Sequence, residues 1–187
     1  MSQTYTVEMA QVEIVAAGCD SITTRLSSLS ILPEAELTDC LEKVLAESGY
    51  SSAEPAEGRL SRLVAGALVE IDLRTKEVRV SVAREAVQDE LVKVRVERTG
   101  SQSELANAKR ESLSRAIEGK KRDLEEDLAR EATAELGKAL PGVRAEIEAV
   151  NHRWLAEAIK RKAAQIGEVR RVEENEAERT LTISIKI

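Results

Sequence analysis

Aromatic residues are almost absent from this chain. There is no Phe, and Tyr5, Tyr50 and Trp154 are the only members of the class. Any core must therefore be built from Leu, Val, Ile and Ala, and binding modes that stack bases or sugars on rings lose their usual means. Histidine is limited to His152, and cysteine to Cys19 and Cys40. One histidine cannot form a multi-His metal site, and two cysteines in 187 residues do not make a disulfide framework. No GxxxxGK or GxGxxG stretch offers a phosphate cradle. No apolar run approaches the ~20 residues of a membrane-spanning helix. The opening MSQTYTVEMAQVEIV has no basic segment followed by an apolar run, so it does not read as a signal peptide. A reducing cytoplasm with free thiols is the expected setting.

What is present is charge. The charged fraction is 33%, above the usual quarter, and the apolar fraction is 42%. The net charge is −6, and its position matters. Residues 1–66 hold 4 Lys/Arg against 10 Asp/Glu, and the remaining residues hold 24 of each sign. Two thirds of the chain thus present a neutral, mixed surface without a sustained field for phosphates, which disfavours nucleic acid.

Hydropathy patterning gives the elements. Tyr5, Val7 and Met9 alternate with polar neighbours and predict a strand over 4–15, with a phase slip before Val12 and Ile14 of the kind a bulge produces. The Ser/Thr-rich stretch 17–32 reads as a loop, with a short strand within it as the alternative. Pro33 opens a helix with Glu34 and Glu36 in its first turn, a Leu37, Leu41, Val44, Leu45 stripe, and Gly49 as its stop. Residues 50–65 read as a mobile linker or lid. Ala67, Val69, Ile71 and Leu73, then Val78, Val80 and Val82, predict a hairpin turning at Arg74–Lys76 with one wet face. After a short turn, Val92, Val94 and Val96 predict a further strand. The tail predicts two more strands around a turn at 173–178, the last alternating through Leu181, Ile183, Ile185 and Ile187, so the C-terminus is expected to be pinned in a sheet.

Between them lies the longest helical signal. Ser101 with Glu104 fits a capping box. From about 103 to 139 only Gly119 and Gly137 interrupt, then Pro141-Gly142, then a second helical stretch to Gly167. Read as two helices they are roughly 55 and 38 Å long. Glu111–Arg115, Glu118–Arg122, Glu126–Arg130 and Glu157–Arg161 pair at i,i+4 with the acid first, the favourable order on a wet helix. Leu113 and Ile117 recur as Leu124 and Leu128, while Val143, Ile147, Val150, Trp154 and Ala158 share a face of the second stretch. A fold-back at Pro141 would bring these stripes together.

The expected architecture is α+β: an antiparallel sheet body (1–100 and 168–187) with one short helix, and a coiled-coil-like helical hairpin (101–167) projecting from it before the last two strands. The two halves, strand–helix–strand–strand and strand–hairpin–strand–strand, also have the outline of a duplicated βαββ unit, though no matching residues support one.

Candidate chemistry is sparse. Cys19, in Gly18-Cys19-Asp20-Ser21, is a conceivable nucleophile with His152 as base, but no known signature surrounds it. Cys40 reads as core. Glu70 and Asp72 share a strand face and resemble a carboxylate pair, better explained as a wet face with Arg79 across the strand. Leu136, Leu140 and Val143 at the hairpin tip are candidate partner contacts, with hairpin closure as the plainer account. The runs Lys120-Lys121-Arg122 and Lys160-Arg161-Lys162 would lie near each other in a folded-back hairpin and are the best anionic-ligand candidates, against a solvated face balanced by Glu118, Asp123 and Glu157.

The reading is a non-catalytic interaction or assembly protein, an adaptor or subunit without cofactor or metal. Its partner is another protein or a second copy of itself, docked through the hairpin or a sheet edge. Rival readings are a homo-oligomeric structural protein, an accessory subunit of an ATP-driven machine, and an enzyme with dispersed residues in the 17–32 and 49–66 loops.

Overall fold

The computed structural model describes residues 5–52, 58–97, 101–175 and 180–186. Its elements run β1 (Tyr5–Arg25), α1 (Glu34–Glu47), β2 (Arg59–Val64), β3 (Ala67–Asp72), β4 (Glu77–Glu97), α2 (Gln102–Ile166), β5 (Glu168–Asn175) and β6 (Thr180–Lys186). Four strands form one sheet in the order β1-β4-β3-β2, and β5 and β6 form a second. The mixture of antiparallel sheet and helix is α+β, as the patterning implies.

The chain divides into two compact units. The first takes residues 1–20 and 82–134, and the second takes 21–81 and 135–187. Each draws on strands and on part of α2.

In the second unit the β3–β4 hairpin forms where alternation placed it. Val69 faces Val80, Glu70 faces Arg79 and Ile71 faces Val78. Ala67, Val69, Ile71, Val78, Val80 and Val82 are all buried. The Asp72 carboxylate accepts the N–H groups of Arg74 and Thr75 at 2.8 Å each, closing the turn. Helix α1 follows Pro33 and buries Leu37, Cys40, Leu41, Val44 and Leu45. It ends at Gly49, whose φ of 81° is the left-handed conformation that suits a helix stop. The segment read as a lid contains β2, paired along its length with β3. A two-residue turn joins them at Ala65 and Gly66, both at positive φ (51° and 88°), as primed hairpin turns require. β2 carries no alternation because it is an edge strand with no fully buried position.

The helical hairpin is not formed. Residues 102–166 are a single α-helix with Pro141 inside it. The reason lies in its burial pattern. Leu128, Ala132, Leu136, Ala139, Val143, Val150, Trp154 and Ala158 are buried. Their steps of three, four and seven make one stripe that passes Pro141 without losing phase. An interior proline costs about 3 kcal/mol, and burying a Leu or Val side chain on either side of it returns about 1.5–3 kcal/mol apiece. Packing overrides the local break. Leu136 and Val143 are therefore buried in the second unit, not exposed at a tip. The capping box does form: Ser101 N–H donates to Glu104 Oε2 at 2.7 Å, and Glu104 N–H to Ser101 Oγ at 3.4 Å.

The first unit departs further from the expectation. β1 keeps one phase over 5–20, with no slip before Val12. Even positions face α2: Glu8 pairs with Lys109 at 2.7 Å, and Ile14, Ala16 and Gly18 are buried. Tyr5, Val7, Met9 and Val15 are left on the exposed face. Residues 17–25 continue this strand, the alternative allowed within the loop reading of 17–32, and β4 runs without a turn through 84–91. At Gly18 the helix backbone lies against the strand. A Cβ there would stand 2.3 Å from Ala129 N and 2.5 Å from Leu128 C.

Two outcomes test this description. Pro141→Ala should stabilise the chain by up to about 3 kcal/mol in denaturant unfolding, because a continuous helix gains a donor and loses a ring clash. A chain turning at Pro141 would gain nothing. Gly18→Ala should destabilise by about 1–3 kcal/mol, since the obstructing atoms are backbone and cannot rotate away.

Candidate functional site

The polar groups singled out in the sequence are mostly engaged in structure. Glu70 faces Arg79 across the β3–β4 ladder. Asp72 is held by its turn and by Arg59, 3.6 Å away. These residues line a shallow pocket of about 190 Å3 with Thr75 and Glu77. Within it Asp72 has amide and basic partners and Glu70 stands across from Arg79, an arrangement suited to fixing a sheet surface. The Thr75 and Arg74 amides hold the Asp72 carboxyl below its ordinary value.

The two basic runs lie on one continuous helix, in different units. The fold-back that would join them is absent. Lys120 pairs with Glu90 at 3.6 Å, Lys121 with Glu125 at 3.8 Å, and Lys160 with Glu157 at 3.5 Å. Arg161 reaches Glu36 at 3.0 Å and Asp39 at 3.9 Å on α1. Arg122 is exposed and Lys162 half-buried. Of the four expected i,i+4 pairs, Glu111–Arg115 forms. Glu157 instead takes Lys43 of α1 at 3.1 Å, so part of the presumed wet face ties two helices together.

Cys19 is exposed in the first unit, Cys40 is buried, and His152 is half-buried in the second unit. Among the described residues no group of three or more His, Cys, Asp or Glu could hold a metal ion. Nor is any helix among them long and apolar enough to cross a membrane.

Among the described residues each unit also carries an open apolar surface. In the second unit an open groove of about 830 Å3 runs between the end of β1 and the middle of α2. Ile22, Leu140, Val143 and Ile147 supply its apolar lining, Thr23 and Thr24 its hydroxyls, and Arg144 and Glu148 its charges. Leu140 and Val143 are thus brought together in a groove, with Val143 at its buried floor, and Leu136 is not among its lining residues. Ile22 was missed because its neighbours are Ser and Thr. Those threonines are β-branched and equally at home in a strand.

In the first unit the outer face of β1 and β4 leaves Val7, Met9, Val15, Val87 and Leu91 more than half exposed. Arg95 lies over the Tyr5 ring, 5.7 Å from its centroid. The alternation that revealed β1 was legible in the sequence. The direction of its faces was not, because both parities carry apolar residues.

Tyr50 offers a probe of the second unit's interior. Its hydroxyl is buried without a hydrogen-bond partner. Burial, reinforced by Glu146 and opposed by Arg62, pushes its pKa up to about 12. The folded state then holds a proton that the unfolded chain releases near the ordinary tyrosine value of about 10. In a Tyr5→Phe background, tyrosinate absorbance should titrate with a midpoint near 12. Stability should be complete below about pH 10 and fall as pH rises toward the folded value.

Comparison with protein families finds a match along residues 1–187 to a family described as FtsH ternary system domain X5. No curated protein and no solved structure matches the chain.

Proposed function

Since the chain belongs to the FtsH ternary system domain X5 family across residues 1–187, we propose that it is an accessory, non-catalytic component of an FtsH-associated protease system, acting as an adaptor or subunit that docks other proteins. The observation that carries this reading is the full-length family match. Among the candidate roles read from the sequence, it favours the accessory subunit of a machine.

The surface chemistry supports the same direction. Many of the second unit's charges are engaged in turns, ladders and helix–helix ties. Its open groove offers apolar side chains with two hydroxyls and a charge of each sign. A groove of that kind takes apolar side chains of a polypeptide and orients them by a few polar contacts. The exposed basic residues, Arg122 above all, are secondary contacts in this proposal.

The test is co-purification from the native host, followed by reconstitution. The tagged chain should bring down an FtsH-family protease or proteins of the same system. Adding the chain should change the rate at which that protease degrades a protein substrate, while the chain alone has no peptidase activity. Ile22→Lys with Leu140→Lys should weaken the capture while the circular dichroism spectrum is unchanged. Failure to capture any component of such a system, with no effect on degradation, would sink the accessory reading.

A further inference from the structure

We propose that the chain forms a symmetric dimer in which the free edge of β1 pairs with the same edge of a second copy, antiparallel and centred on Val12. β1 ends the sheet order, with β4 as its only strand neighbour among the described residues. Such an edge is a row of backbone donors and acceptors that templates another strand. Proteins that leave an edge bare protect it with lysines, prolines, bulges or brevity. β1 has none of these: it is 21 residues long, keeps one phase over 5–20, and contains no Lys, no Pro and no basic residue before Arg25.

The direction of its hydrogen-bonding groups follows from its end. Leu26 N–H donates to Lys76 O, on the side of the β3–β4 turn. In a regular strand successive residues address opposite edges. Even positions therefore address β4, and the odd positions from Val7 to Ala17 address the open edge. Those odd residues also carry the exposed side chains, with Val7 55%, Met9 59% and Val15 58% exposed.

The sequence is self-complementary about Val12. An antiparallel pair centred there sets Gln11 opposite Glu13 of the second copy, Met9 opposite Val15, and Val7 opposite Ala17. On the inner face Ala10 meets Ile14 and Glu8 meets Ala16. Val7, Met9 and Val15 each meet an apolar residue, Glu13 meets an amide that can donate to it, and no two like charges face each other between Val7 and Ala17. The odd pairs are the hydrogen-bonded ones, and Val12 meets itself in the close, non-hydrogen-bonded type of pair. A two-fold axis normal to this ribbon keeps α2 of both copies on the same side. That suits the helix, which has no buried residue from Gln102 to Asp127 and holds Leu105, Leu113, Ile117 and Leu124 only half-buried.

Sedimentation equilibrium of the full chain at micromolar concentrations should give the mass of two copies of the 20.5 kDa chain, dissociating on dilution. Val15→Lys, on an exposed position, should shift it to one copy with unchanged circular dichroism. Gln11→Pro, which removes an edge donor without touching the β4 ladder, should do the same. In a Cys19→Ser background, Val12→Cys should form an intermolecular disulfide under mild oxidation, because the close pair brings equivalent Cα atoms to about 4.5 Å. Ala17→Cys should not, since equivalent positions there lie far apart along the strands. A single-copy mass across the concentration range would overturn the dimer and leave the edge to a strand of another protein. A dimer indifferent to both substitutions, or cross-linking at Ala17 as readily as at Val12, would overturn the β1 interface.

Discussion

The packing of the second unit depends on the burial of Trp154. Its side chain is fully enclosed, and its indole N–H donates to the carbonyl oxygen of Leu37 at 2.8 Å. That bond resolves the difficulty of a large aromatic in an aliphatic core, since an enclosed indole without an acceptor would leave a donor unsatisfied. It also fixes α2 against the first turn of α1. Lys76 sits over the other side of the node, 5.9 Å from the Trp154 ring centroid. Its ammonium donates to Thr38 Oγ1 at 2.7 Å and to Leu73 O, and it pairs with Glu34 at 3.3 Å. The Lys76 carbonyl receives Leu26 N–H from the end of β1. One aromatic and one buried lysine thus bind α1, α2, the β3–β4 turn and β1 within the same unit. Truncating a fully buried Trp typically costs about 3–5 kcal/mol, and here it would also leave the Leu37 carbonyl without its indole donor.

Charge in the second unit follows the same logic. Arg62 donates to Ser48 O at 2.6 Å and pairs with Glu146 at 2.7 Å, linking β2, the end of α1 and α2. Lys43–Glu157 and Arg161–Glu36 link the two helices again. Exposed pairs of this kind contribute little each, about 0–1 kcal/mol, so their value is in register more than in stability. The consequence for function is that most charged groups in this unit already have partners. The open apolar surfaces include a groove in one unit and a strand face in the other.

The parts legible in the sequence were those where one local signal had one structural solution. The β3–β4 hairpin has clean alternation, α1 has a proline start and a glycine stop, and the capping box at Ser101 has its fixed spacing. Pro141 was misread because its local preference is strong, while the opposing stripe from Leu128 to Ala158 becomes visible only when read through the proline. β1 was misread because apolar residues occupy both parities, so alternation could not say which face is covered. The buried face there uses small residues, Ala16 and Gly18, to admit the α2 backbone, and small residues carry no hydropathy signal. β2, with no fully buried position on either face, had none to give.

The misread positions are also the ones that matter for association. A strand whose better apolar residues point to solvent, while its small residues receive a helix, conflicts with the usual economy of a monomeric sheet. Local rules are broken in folded proteins chiefly where something else is satisfied, and for an edge strand that something is another strand. The family to which the chain belongs is described as a domain of an FtsH ternary system. In that light the exposed Val7, Met9 and Val15 are not defects of a thin core. In the proposed dimer they are the contact residues, and α2, with no buried residue from Gln102 to Asp127, is the element that such contact would complete.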